Sequence, residues 1–132
     1  MTKKFTLQNL LASTTDVEIK HPYTGEPTGI TVTLLPVDSP KIQSKIAMAL
    51  GNLPKTPTED SPIGDKAQYN VADDQLNRDI IIMRVVGSND EGLSTPEQRE
   101  VFFHECDIKI VQQLMTDGAD RALYFRQSKG QV

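Results

Sequence analysis

The sequence has no tryptophan, a single cysteine and few aromatic side chains, with three tyrosines and four phenylalanines among 132 residues. With aromatics at only 5%, a core must be built mostly from Ile, Val, Leu and Met. Cys106 is the only thiol, so no disulfide can form within the chain, which suits a reducing compartment. No stretch approaches the roughly 18 to 20 consecutive apolar residues of a membrane span. The opening residues, MTKKFTLQNLLA, are too polar for a secretory leader, so cytoplasm is the expected location. Clustered positive charge is missing too. The formal net charge is −4 and the pI about 5.1. Lys and Arg are scattered among acids, so phosphate-neutralising contact with nucleic acid is not expected.

Signatures of catalysis are equally scarce. No Gly-rich phosphate loop, nucleophile elbow or dinucleotide fingerprint occurs. His104-Glu105-Cys106-Asp107 gathers four residue types that bind metals. Neighbours on a helix point about 100° apart, however, and His21, the only other histidine, lies in a distant loop. Cys106 and His104 are two residues apart, which does not bring a nucleophile and a base face to face. Cys106 falls on an apolar stripe and reads as a small core residue. Asp73-Asp74 and Glu97/Glu100 read as carboxylates near helix N-termini, where negative charge is stabilising. No catalytic residue, cofactor or metal is expected, and the chain reads as a binding protein rather than an enzyme.

What is present fits one domain, 1–132, of α+β class: an N-terminal antiparallel β-hairpin followed by a mainly helical domain of four to five helices. Phe5 to Ser13 is mildly amphipathic and reads as a helical turn or a docking arm. Val17-Glu-Ile-Lys20 and Gly29-Ile-Thr-Val-Thr-Leu-Leu35 alternate apolar and polar residues, the signature of half-buried strands. Turn formers fill His21 to Pro27 between them. Ser39 and Pro40 predict a helix start, and Ile42, Ile46 and Leu50 a single stripe. Leu53 to Asp65, with three prolines, reads as a flexible loop. Ala67 to Val86 predicts the strongest helix, although Ile80-Ile81-Ile82 could also make a buried strand. Thr95-Pro96-Glu97-Gln98 predicts a capping box. The stretch behind it reads as one long helix or as two, the second beginning at Asp107. Gly118 is expected to close it in the left-handed conformation. Ala119 to Gln127 reads as a last short helix, and 128–132 as a frayed tail. Phe102-Phe103 and Tyr124-Phe125 are adjacent aromatic pairs. Helical neighbours do not both face one core, so one member of each pair is a candidate for partner binding, the alternative being a helix packed on two sides.

Two segments resemble the tail assembly chaperone family of long-tailed bacteriophages and prophages. The first runs Val17-Glu-Ile-Lys-His-Pro-Tyr-Thr-Gly-Glu-Pro-Thr-Gly-Ile-Thr-Val-Thr-Leu-Leu35, followed by Asp38-Ser39 and a helix. It is similar to the family's opening hairpin with its Pro-x-Thr-Gly turn. The second is Arg84-Val-Val-Gly-Ser-Asn-Asp-Glu-Gly92, then Ser94-Thr-Pro-Glu97, then Ile108-x-x-Val-x-x-Leu114. It is similar to the family's Val-x-Gly-Trp segment, acidic-glycine turn, Ser-Pro-Glu helix start and last helices. Ser88 stands where the family commonly has Trp. The resemblance implies a protein of the host cytoplasm that binds the tape measure protein, keeps it soluble, and helps recruit tail tube subunits. Such proteins are absent from the finished particle and are often made in two forms, the longer by a ribosomal frameshift. Self-association is a further expectation; nucleic acid and membrane are not expected partners. The competing reading is a small tail or head–tail connector protein retained in the virion. On the chaperone reading, Phe102, Phe103, Tyr124 and Phe125 are the candidate partner-binding residues.

Overall fold

Two alternating β-branched runs form the first elements, as their period of two requires. The computed structural model describes residues 11–125. Strand β1 (Thr15–Lys20) pairs antiparallel with β2 (Pro27–Leu34) in the register Thr15↔Leu34 and Val17↔Val32. Val17, Ile19, Val32 and Leu34 lie on the buried face. Asp16 and Thr33 face the other way, and the Thr33 hydroxyl donates to the Asp16 carboxylate at 2.6 Å. The predicted hairpin is therefore present, with a loop over 21–26.

The first helix, α1 (Gln43–Gly51), starts later than Ser39-Pro40 suggests. Ser39 is buried, and its carbonyl accepts from the N–H groups of Ile42 and Gln43, which makes a turn ahead of the regular helix. Ile42 and Ile46 are buried as expected, but Leu50 is exposed, because the packed stripe continues through Ala49 and Leu53 instead.

Helix α2 (Ile63–Arg84) begins four residues before Ala67, inside the expected loop. Asp73 and Asp74 therefore sit mid-helix rather than near an N-terminus, and Asp74 pairs with Arg78 at 3.6 Å. Its buried residues, Leu76, Ile80, Ile81 and Arg84, all fall in the second half. Ile80-Ile81-Ile82 stays helical despite its β-branching. The strand instead begins one turn later: β3 (Val85–Ser88) runs directly from α2 and pairs antiparallel with β2. Val85 and Val86, expected to end the helix, and Gly87-Ser88, expected in a turn, thus complete a three-stranded sheet of order β1-β2-β3. Pairing with β2 and burial of Val85 supply what the local pattern lacks.

A 3-10 turn (Glu91–Leu93) leads to α3 (Pro96–Glu105). Thr95 and Gln98 form the expected capping box, with Pro96 in the first turn. The chain then breaks at Cys106. Asp107 caps α4 (Ile108–Asp117) by accepting from the Lys109 N–H at 2.9 Å, so two helices form rather than one. Gly118 ends α4 with φ −94°, not left-handed. What requires glycine there is space: a Cβ would lie 2.8 Å from Leu34 Cδ1 and 2.9 Å from the Leu114 carbonyl oxygen. Among the described residues, the expected last helix is a 3-10 turn, Arg121–Tyr124, and its last two positions, 126 and 127, lie outside them. Most of the expected N-terminal arm and the tail 128–132 lie outside the described residues, but Ala12 forms an antiparallel bridge with Phe125.

Helices α2, α3 and α4 cover the buried face of the sheet around Val32, Leu34, Ile81, Phe103, Val111 and Leu114. A smaller cluster of Leu35, Ile42, Ile46, Leu76 and Ile80 lies between α1 and α2. Met115 touches both clusters.

Candidate functional site

Each aromatic pair divides between core and surface. Phe103 is fully buried and Tyr124 nearly so, whereas Phe102 and Phe125 are half-buried. Both core members are therefore committed to packing, leaving Phe102 and Phe125 as the accessible candidates. The Phe102 and Phe103 rings meet edge to face, with centroids 5.0 Å apart, which fixes the orientation of Phe102.

Phe102 borders an open cleft of about 240 Å³ between the hairpin and the α3–α4 region. Ile19, Ile30, Leu93 and Ile110 form its apolar walls. Lys20, His21 and Asp90 stand among its polar lining. Ile19 and Ile30 come from the two hairpin strands, Leu93 from the turn before α3, and Ile110 from α4, so no single segment defines the cleft.

The hairpin loop beside the cleft is tied to α4. The Tyr23 hydroxyl donates to Asp107 Oδ2 at 2.9 Å, and Lys109 Nζ lies 4.4 Å from the centre of the Tyr23 ring. The bond to Asp107 raises the Tyr23 hydroxyl above its ordinary pKa, and the negative charge of Asp107 adds to this. The Asp107 carboxyl is held below its ordinary value, first by the Lys109 backbone N–H and then by Tyr23. His21 Nδ1 accepts from the backbone N–H groups of Tyr23 and Thr24, each at 3.2 Å, which shapes the turn.

The His104-Glu105-Cys106-Asp107 run disperses. His104 Nε2 meets Asp79 Oδ1 at 3.1 Å, Cys106 faces Arg78, and Asp107 caps α4. Among the described residues no group of three His, Cys, Asp or Glu is placed to hold a metal. Burial raises the Cys106 thiol pKa, with nearby Arg78 acting against it. The thiol packs beside the main core, half-buried.

Sequence reading missed the polar hubs. Arg84 is buried and donates to the Leu35 carbonyl at 2.9 Å, the Gly118 carbonyl at 3.0 Å and the Tyr124 hydroxyl at 2.6 Å. Arg78 donates to the carbonyls of Phe103 and Cys106, closing the end of α3. An arginine ending an apolar helical run was the only signal for Arg84. Ser88, in the family's Trp position, donates from Oγ to the Thr31 carbonyl and accepts from the Asp90 N–H, so it serves the strand end. Among the described residues no helix is long and apolar enough to cross a membrane. Compared with protein-family models, curated proteins and solved structures, the chain matches none.

Proposed function

We propose that this protein is a tail assembly chaperone of a long-tailed bacteriophage or prophage. It binds the tape measure protein in the host cytoplasm, keeps it soluble, helps recruit tail tube subunits, and leaves before the particle is finished. One observation supports this reading most. The two sequence segments that carry the resemblance meet in space: the hairpin and the Arg84–Glu97 segment share a sheet through β2 and β3 and jointly line the apolar cleft. An amphipathic helical client would insert an apolar side chain beside Phe102, where a rigid apolar wall is available for burial.

Co-expression with the tape measure protein encoded beside it tests the reading. The client should become soluble and co-purify, and Phe102→Ser should reduce the amount recovered. A client equally insoluble with and without this protein would refute the proposal. Mass spectrometry of purified particles tests the last step, since a connector would be found in them and a chaperone would not.

A further inference from the structure

Among the described residues, strand β1 is an edge of the sheet. Ile19 and His21 face β2: the Thr28 hydroxyl donates to the Ile19 carbonyl, and the His21 N–H donates to the Glu26 carbonyl. Lys20 therefore presents its backbone outward, and the two-residue period points Asp16 and Glu18 the same way. Among the described residues no strand pairs with this side. Instead, the Gln113 side chain occupies one position on it. The Lys20 N–H donates to Gln113 Oε1 at 2.7 Å, and Gln113 Nε2 donates to the Lys20 carbonyl at 3.0 Å. These are the two bonds a neighbouring antiparallel strand would make there.

We infer that the outer edge of β1 pairs with β1 of a second copy of this chain, and that Gln113 is a latch competing for the Lys20 backbone. The strand's own charges favour a second copy. Opposed residues of antiparallel strands share a face, so a self-pairing that keeps the apolar side continuous is centred on a residue. Centred on Glu18, it sets Asp16 opposite Lys20 at both ends and Val17 opposite Ile19, with one Glu18–Glu18 contact as the cost. Centring on Val17 opposes Asp16 to Glu18 twice. Centring on Ile19 runs the pairing into the hairpin loop. In the Glu18 register each Lys20 backbone bonds Asp16 of the other copy in place of Gln113, giving a continuous sheet across the dimer.

Sedimentation velocity over a range of concentrations tests this. Gln113→Ala should tighten self-association by about tenfold or more, since the edge loses its competitor. Lys20→Glu should weaken association, and Asp16→Lys combined with Lys20→Glu should restore it. The Thr33 bond lost from Asp16 lies within one copy, so it affects monomer and dimer alike. Glu18→Pro should abolish association while leaving β1–β2 pairing intact, because the N–H it removes points outward. Gln113→Ala no more associated than wild type, or a charge swap that fails to restore, would overturn the inference. Amide exchange on wild-type protein keeps the test independent of variant folding. Protection of the Glu18 N–H should rise with protein concentration, and concentration-independent exchange would likewise overturn the inference.

Discussion

Gly118 and Arg84 show how single side chains hold this fold. The carbonyl of Gly118 accepts from both Arg84 and the Tyr124 hydroxyl, and its Cα faces Leu34. Gly118→Ala is expected to cost about 1–3 kcal/mol by overpacking, read from the urea midpoint at unchanged slope. Arg84→Met should cost about 2–3 kcal/mol, since buried acceptors just after β2 and just after α4 lose their donor. Tyr23 and Asp107 make a pH-dependent tie. A carboxyl lowered on folding contributes stability above its unfolded pKa and loses it as pH falls through the folded value. A tyrosine raised on folding contributes below its unfolded pKa and loses it as pH rises through the folded value. The tie should therefore hold between about pH 4 and pH 10. In an NMR titration, Tyr23→Phe should move the Asp107 carboxyl toward its ordinary value. An unchanged titration would show that the hydroxyl contributes nothing.

Among the elements, α3 was the most legible in the sequence. Its start depends on local contacts alone: Thr95 accepts from the Gln98 N–H, and the Gln98 side chain accepts in return from the Thr95 N–H. Thr95→Ala should cost about 1 kcal/mol, and a thermal melt unshifted relative to wild type would contradict this. The hairpin was legible for the same reason, because alternation over a few residues already names the buried face. Strand β3 was not. Val85-Val86-Gly87-Ser88 continues an apolar helical pattern, and only its partner β2, more than fifty residues earlier, makes it a strand. The start of α1 was misread because Ser39 caps a turn rather than the helix. Of the candidate site, the aromatic pairs were legible as pairs, but which member faces outward depends on where α2 and the sheet lie. The cleft beside Phe102 had no local signature, since its walls come from four separate elements.

At the scale of the molecule, the two apolar clusters differ in size, and Met115 links them. The smaller one holds α1 against the second half of α2, while α2 before Leu76 has no buried residue. Native-state amide exchange should therefore show α1 opening at lower free energy than the region of Ile81 and Val111, which should exchange only on global unfolding. Equal protection in α1 and in the central sheet would mean the clusters unfold as one. By itself, the sequence determined the α+β class, the hairpin and its buried face, the capping box of α3 and the acidic charge. These depend on spacing and chemistry within a few residues. Only the tertiary structure decided that the chain after α2 closes the sheet, that Phe103 and Tyr124 are core while Phe102 borders a cleft, and that Arg84 and Gln113 bond backbone far away in sequence. Each of those outcomes depends on burial or pairing between distant segments, which local pattern does not encode.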